Sequence, residues 1–122
     1  MRRFSLVDSE TGRCLLPEVE AAESLPRRVA GLMGRRFLKA GAGLYIPRCS
    51  SIHMFFMRFP IDVVYLDREK RVRKVVHALK PWRLSWCPGA DSVLEAPAGW
   101  AAQVALREGM QLLLDRRVEA LP

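Results

Sequence analysis

The sequence predicts an α+β fold that is mostly β, in which a curved sheet or a small, partly open barrel is accompanied by two short helices. Short apolar runs bounded by turn residues recur along the chain, which is typical of strand-rich domains. Helical patterns are confined to two short stretches. The length of 122 residues and the apolar content of 50% suit a single domain, residues 1–122, with a core of its own.

The N-terminal half is predicted to form a hairpin, a helix and a strand. Residues 4–7 and 14–16 are apolar runs joined by a turn at residues 8–12, which contains a glycine. Residues 24–34 begin with an N-capping serine, repeat apolar side chains at helical spacing and end at a glycine, as a helix does. Residues 44–46 form a short strand after a glycine-rich loop.

The C-terminal half is predicted to form four strands and the second helix. The strands are residues 61–66, 72–76, 92–95 and 110–114, and the helix is residues 100–106. The first of these strands is apolar on both faces except at Asp62, so we expect it in the centre of the sheet. The longest connection, residues 78–91, holds Trp82 and Trp86, and we expect this loop to fold over the sheet with both indoles buried.

Positive charge is concentrated in two segments. The net charge is +7; residues 24–61 hold seven Lys or Arg and no acid, and residues 70–90 hold six and no acid. Such a field attracts nucleic acid, anionic lipid or an acidic partner, or it serves only solubility and the protection of exposed strand edges. We favour the second explanation, because no nucleic-acid-binding motif accompanies the charge.

The cysteines and the N-terminus set further expectations. Cys14, Cys49 and Cys87 are widely spaced, with no CxxC pair, so we expect reduced thiols packed as small apolar groups and no zinc site. No other metal or cofactor is indicated by a motif. No apolar run approaches the ~20 residues of a membrane span, and the N-terminus meets an acid before any signal-peptide core, so we expect a cytoplasmic protein.

Three sequence blocks resemble a known family. They are residues 28–35 (RVAGLMGR), 56–63 (FMRFPIDV) and 92–99 (SVLEAPAG). In this order they resemble the bacterial and archaeal family catalogued as domain of unknown function 192, over about residues 27–114. The resemblance implies a compact, strand-rich domain and no particular activity. Many members look exported, whereas this chain shows no leader, and an acid that the family favours near the end is replaced here by Met110.

Asp62 and His53 are the polar residues most able to carry chemistry. Asp62 interrupts an apolar strand, so it needs hydrogen bonds or a partner such as Arg58 or His53. Our preferred interpretation is structural: the carboxylate holds the turn at Phe59 and Pro60 by accepting backbone N–H bonds or the fork of an arginine side chain. His53 shares an alternation face with Phe55 and Met57 and is interpreted as a histidine at the edge of the core. A general base or a ligand contact is the alternative.

The aromatic residues around the longest loop are interpreted as packing beneath it. The alternative is an apolar pocket walled by Trp82 and Trp86, with Arg83 or Lys80 at its rim. Glu95, in the next strand, faces either the interior or the solvent, and the pattern does not decide between them.

These features predict a non-enzymatic binding or interaction module. Its shallow pocket lies between the longest loop and the central strands. The expected ligand is a small anionic molecule or a peptide carrying a carboxylate, because the charged residues from 70 to 90 are all positive. The predicted ligand-binding residues are His53, Asp62, Arg58, Trp82, Trp86 and Arg83, and no residue is assigned a catalytic role.

Two alternatives stay open. One is a small hydrolase-like enzyme that uses His53 with Asp62 or Cys49, which a direct contact of His53 with Asp62 beneath a pocket would favour. The other is a basic nucleic-acid-binding domain, which a flat basic face with exposed aromatic residues would favour. A closed core beneath the longest loop would favour a plain interaction protein. The sequence does not predict the oligomeric state.

Overall fold

The computed structural model describes residues 2–22 and 37–116, which form nine strands and one short helix. The strands are β1 (Arg3–Asp8), β2 (Cys14–Ala21), β3 (Ala42–Pro47), β4 (Ser51–His53), β5 (Ile61–Leu66), β6 (Val72–Leu79), β7 (Leu84–Trp86), β8 (Ser92–Pro97) and β9 (Leu112–Arg116), and the helix, α1, is Trp100–Gln103. The predicted hairpin is confirmed as β1 and β2. The predicted helix at residues 24–34 lies outside the described residues, so the expectation of two helices is not confirmed.

Seven of the strands form one open, curved sheet with the order β6-β5-β8-β3-β2-β1-β9. β2 and β3 run parallel, and the other neighbours run antiparallel. The segments that lead into the two edge strands meet at an isolated bridge between Arg71 and Gln111. The predicted curved sheet is therefore confirmed, but within the described part of the chain it does not close into a barrel.

β5 is an interior strand, second from the edge of the sheet, and it lies between β6 and β8 with all six of its residues buried. Val64 and Leu66 belong to one apolar cluster, which α1 joins through Trp100. Val63 and Tyr65 belong to a second cluster, which lies beneath β4 and β7. A strand that is covered on both faces has to be apolar on both, which explains the pattern in the sequence. The prediction of a strand that is buried on both faces and paired on both sides is confirmed, although β3 and not β5 lies at the centre of the sheet.

β3 lies so close to its neighbours that one of its positions has no room for a side chain. A Cβ atom at Gly43 would stand 2.5 Å from Cδ2 of Leu16 in β2 and 3.0 Å from the backbone oxygen of Glu95 in β8. Both neighbours are buried, so neither moves aside easily. The 6% exposure of Glu95 also answers the open question about this acid, which belongs to the interior.

The segment at residues 78–91 differs from the prediction. β6 continues to Leu79 and β7 occupies Leu84–Trp86, so the expectation of one long loop is wrong. β7 pairs antiparallel with β4 in a separate two-stranded sheet. Trp82 and Trp86 are 58% and 60% exposed, so the expected burial of the indoles is wrong as well. The pairing with β4 is the reason, because it satisfies the backbone of the segment and turns smaller side chains toward the core.

The remaining differences concern element ends and one thiol. α1 ends at Gln103 instead of residue 106, and β9 begins at Leu112 instead of residue 110. The cysteines are free thiols, but Cys14 is exposed at the start of β2 while Cys87 is buried, so the expected apolar packing is wrong for Cys14. Within residues 2–22 and 37–116, no helix is long and apolar enough to cross a membrane.

Candidate functional site

Six side chains gather on the outer face of the β4–β7 sheet and on the two turns beside it, and we call this surface the aromatic patch. It consists of His53, Phe55, Phe56, Trp82, Leu84 and Trp86. Five of these residues are 38–60% exposed, and His53 is half-buried. Large apolar groups clustered in this way mark interaction sites more often than single exposed ones do, because burying them against a partner is favourable.

Strand alternation explains why these side chains point outward. In the β4–β7 ladder, Ile52 lies opposite Ser85, and both are buried, at 8% and 7% exposure. The next pair is His53 with Leu84, and successive side chains of a strand point to opposite faces. Because Ile52 and Ser85 point inward, their neighbours in the sequence, His53, Leu84 and Trp86, point to the outer face.

Two residues of the main sheet hold β7 in place from below. The Tyr65 hydroxyl of β5 donates a hydrogen bond of 2.9 Å to the Ser85 hydroxyl. Burial raises the pKa of the Tyr65 phenol to about 12, and the hydrogen bond to Ser85 offsets only part of this rise. Lys74 of β6 lies over the Tyr65 ring, with its Nζ atom 5.8 Å from the centroid, and donates a 2.9 Å hydrogen bond to the carbonyl of Trp86.

The two turns that complete the patch have a strained backbone. Phe56 and Trp82 have φ angles of 64° and 68°, in the left-handed region that large side chains rarely adopt. The N–H of Trp82 donates to the carbonyl of Met54 at 2.7 Å, and the N–H of Met54 donates to the carbonyl of Arg83 at 2.8 Å. The Trp82 ring lies 5.0 Å from that of Phe56 and 5.8 Å from that of Phe55. Strain of this kind occurs mostly at functional sites.

Three exposed cations border the patch. Arg58 follows the first turn, Lys80 precedes the second, and Arg83 lies between two patch residues in the sequence. β4 belongs to the acid-free segment 24–61 and β7 to the acid-free segment 70–90, and their pairing brings the two segments together. Among the described residues, three cations from the two segments, Arg58, Lys80 and Arg83, therefore lie close to patch residues in the chain.

Asp62 lies away from the patch, in the fully buried part of β5. Its Oδ1 accepts a 2.9 Å hydrogen bond from the N–H of Ala78 in β6, and its Oδ2 accepts a 2.8 Å bond from the N–H of Ala101 in α1. Ala78 has a φ of 49°, and Gly99, the N-cap of α1, has no side chain that could accept from the helix. The carboxylate accepts from two N–H groups that have no partner in the regular hydrogen-bond pattern of strand or helix, so the prediction that it accepts backbone N–H bonds is confirmed. The expected place is wrong, because the two donors lie in β6 and α1 and not in the turn at Phe59 and Pro60.

His53 and Cys49 lie near the patch and make other contacts. The ring of His53 is 4.9 Å from that of Phe55, and its Nδ1 is buried without a hydrogen-bond partner among the described residues. The Cys49 thiol donates to the carbonyl of Ser51 at 2.9 Å. Among the described residues, the hydrogen bonds of the Asp62 carboxylate come from Ala78 and Ala101 and none comes from His53, so the contact that would favour an enzyme is not formed. Among residues 2–22 and 37–116, no three His, Cys, Asp or Glu side chains are grouped to hold a metal ion.

Five of the six predicted ligand-binding residues lie in one region, and Asp62 does not. The five are His53, Trp82 and Trp86 in the patch and Arg58 and Arg83 at its border. The predicted set of ligand-binding residues did not include Phe55, Phe56 and Leu84. The alternation of large residues around Ser85 could have identified Leu84, but only if residues 84–86 had been recognised as a strand.

The fold and the patch define a small, strand-rich protein with an open curved sheet and an exposed apolar surface, and they do not define a reaction. The chain belongs to the family DUF192, described as "Uncharacterized ACR", whose profile matches residues 7–114. The resemblance seen in the three sequence blocks is therefore confirmed. The family description assigns no activity, so it leaves the role of the patch open.

Two archaeal relatives of the UPF0127 group illustrate the similarity. The protein of Thermococcus kodakarensis is 31% identical over 110 residues, which cover 85% of this chain and 69% of that protein. The protein of Pyrococcus furiosus is 31% identical over 112 residues, which cover 88% of this chain and 95% of that protein.

Two bacterial crystal structures have the same fold. One is a protein of Sinorhizobium meliloti, provisionally assigned as a transcription regulator, with a TM-score of 0.80 at 23% identity over 93% of this chain and 92% of that one. The other is a protein of unknown function from Novosphingobium aromaticivorans, with a TM-score of 0.74 at 19% identity over 91% of this chain and 83% of that one. At these identities the likeness concerns the fold alone.

Proposed function

We propose that this chain is an interaction module that binds an acidic polypeptide segment on the aromatic patch. The observation that carries the proposal is the exposure of five large apolar side chains, at 38–60%, on one face of the β4–β7 sheet and its turns. Tryptophan and arginine are enriched among the residues that dominate binding energy at protein interfaces, and the patch offers both. His53, Arg58, Arg83, Trp82 and Trp86 are the proposed contact residues.

The partner sits on the patch instead of in a pocket beneath it. The space under β4 and β7 is filled by the second apolar cluster, which includes the buried residues Ile52, Met54, Met57 and Cys87. Because the core beneath this exposed apolar surface is closed, binding of a protein partner on the surface is favoured over binding of a small molecule beneath β4 and β7.

The positive charge at the border of the patch favours a partner that carries negative charge. Arg58, Lys80 and Arg83 are exposed at its border, and both contributing segments are free of acids. A peptide that offers Asp or Glu beside apolar anchors complements this surface. A second copy of this chain is a poor occupant, because a two-fold interface would place the same cations against each other.

Single-stranded nucleic acid is the second candidate, favoured by the same exposed rings and cations. Two features make it the weaker one. The Trp82 ring is flanked by Phe55 and Phe56, which reduces the aromatic face open to a stacking base. The patch also contains Leu84 at 57% exposure, whereas surfaces that bind nucleic acid are more polar and more positive than surfaces that bind proteins.

The test is a selection of short random peptides displayed on phage against the wild-type protein at about 150 mM ionic strength. We expect enriched peptides to combine Asp or Glu with Trp, Phe or Leu. Their affinity should fall at least about tenfold for Trp86→Ser, as for a large aromatic residue at the centre of an interface. It should fall as much for Arg83→Glu, because the variant places a negative charge against an acidic peptide. The matched controls are Phe37→Ser, which removes an apolar side chain exposed at 72% elsewhere, and Arg107→Glu, which reverses an exposed charge elsewhere.

A fluorescence anisotropy titration with oligothymidylate tests the nucleic-acid alternative. We expect weak binding that is lost as the salt concentration rises, because only unspecific phosphate contacts are made. Tight binding of the oligonucleotide that depends on Trp86, together with no enriched peptide, would replace the proposal by the second candidate. Enriched peptides that bind the two patch variants as well as the wild type would exclude the patch as the site.

A further inference from the structure

A second place on the molecule combines an apolar interior with positive charge. It is a cavity of about 600 Å³ at one end of the curved sheet, and it is bounded by Phe4 of β1, Tyr45 of β3 and Leu114 of β9. These three residues also belong to, or pack against, the first apolar cluster, so the apolar part of the cavity wall rests on the core of the sheet, while the cavity itself is open to the solvent on one side. Ligand pockets of proteins commonly have this size and occur at the mouths of curved sheets.

The charged residues that line this cavity, among those the structure describes, are all cations. They are Arg2, Arg48 and Lys70. The guanidinium carbon of Arg2 lies 5.7 Å from the centroid of the Phe4 ring, and Nζ of Lys70 lies 5.9 Å from that of Tyr45. Aromatic faces attract cations, so these contacts hold positive charge at the rim of the apolar space.

Two of the three cationic residues, Lys70 and Arg48, have a well-defined backbone conformation. The N–H of Lys70 donates to the carbonyl of Asp67 at 3.0 Å, and its carbonyl accepts from the N–H of Leu112 in β9 at 3.0 Å. Lys70 and Arg48 have φ angles of 63° and 52°. Both residues hold the left-handed conformation, which side chains other than glycine adopt at a cost. The backbone positions from which these two side chains reach the cavity are therefore defined, and the side chains themselves keep their rotatable bonds.

We infer that this cavity binds a small organic anion with an apolar body, of the kind that a medium-chain or aromatic carboxylate represents. The apolar walls bury the body of the ligand, and the cations at the rim pair with its carboxylate. A ligand that lacks either the apolar body or the carboxylate makes only one of these two kinds of contact. The site is separate from the aromatic patch and shares no residue with it.

The experiment is isothermal titration calorimetry of the full chain with octanoate, 1-octanol and inorganic phosphate, at about 150 mM ionic strength. Octanoate should bind at least about tenfold more tightly than either of the other two probes, because each of these lacks the apolar body or the charge. Amide chemical shifts should change at Tyr45, Lys70 and Leu114 on addition of octanoate, and not at Trp82 or Trp86.

The variants locate the site. The double variant Arg48→Gln with Lys70→Gln should bind octanoate at least about tenfold more weakly. The matched double variant Arg58→Gln with Arg83→Gln removes the same charge from the border of the patch and should bind octanoate like the wild type. If the first double variant does not fold, the three probes and the shift map of the wild-type protein decide the question.

Three outcomes would overturn the inference. One is equal affinity for octanoate and 1-octanol, and another is equal affinity for octanoate and phosphate. The third is loss of octanoate binding in the patch variant instead of the cavity variant. None of these results bears on the peptide selection, so the inference and the proposed function fail separately.

Discussion

Replacement of Asp62 by alanine should destabilise the protein by about 3–5 kcal/mol. The carboxylate accepts bonds of 2.9 Å and 2.8 Å from the N–H groups of Ala78 and Ala101, and the residue is fully buried. Hydrogen bonds to charged groups contribute about 1.5–3 kcal/mol each, and a buried donor left without an acceptor costs about 1–3 kcal/mol. Two such donors give a loss in the stated range once partial relaxation is allowed for. Asp62→Asn keeps one acceptor oxygen and should cost about half as much.

Asp67 provides a matched control, because its Oδ1 also accepts two backbone N–H bonds, of 2.8 Å from Glu69 and 2.9 Å from Arg71. That turn is accessible to water, which replaces the lost acceptor, so Asp67→Ala should cost at most about 1 kcal/mol. Urea unfolding followed by circular dichroism gives the free energy of unfolding of each variant. Equal stabilities of Asp62→Ala and Asp67→Ala, or an Asp62→Asn variant as unstable as Asp62→Ala, would refute the proposed role of the carboxylate.

Three further predictions concern stability. Burial raises the pKa of Tyr65 from 10.0 to about 12 in the folded protein, so the free energy of unfolding should fall by up to about 3 kcal/mol as the pH rises from 10 to 12. Urea unfolding of Tyr65→Phe should show a smaller fall over the same pH range, and identical falls for the variant and the wild type would contradict this prediction. Trp82→Asn and Trp86→Ser should each cost less than about 1 kcal/mol in urea unfolding, because both indoles are about 60% exposed, and a loss of 3–5 kcal/mol would mean that they are buried. Gly43→Ala should lower the free energy of unfolding by about 1–3 kcal/mol, since its Cβ would meet Cδ2 of Leu16 at 2.5 Å, and unchanged stability would show that the strands separate freely.

The sequence predicted the elements whose signals are local. The N-terminal hairpin, the fully apolar strand β5 and the strand β8 were all expected close to their observed positions. Each has a run of several apolar residues bounded by turn residues, and such a pattern depends little on the rest of the fold. The same reasoning identified Asp62 as a carboxylate that needs hydrogen bonds, because a charged group inside an apolar strand is costly in any fold.

The patch depends on pairing between distant parts of the chain, which the sequence did not reveal. β4 and β7 have three residues each, too few to display a period, and β5 and β6 lie between them in the sequence. The two tryptophans were expected inside because their size favours burial, but the pairing of Ile52 with Ser85 turned Trp86 outward. The partners of Asp62 were hidden for the same reason, since Ala101 is 39 residues away.

The most direct test of the account maps a selected peptide onto the isotopically labelled protein by amide and indole chemical shifts. The account predicts that the largest changes fall on residues 51–58 and 82–86, including the indole N–H signals of Trp82 and Trp86. It further predicts that they disappear for Arg83→Glu while the Arg107→Glu variant responds like the wild type. Shift changes concentrated on other strands, with both indole signals unmoved at saturation, would contradict the claim that the aromatic patch is the interaction surface of this protein.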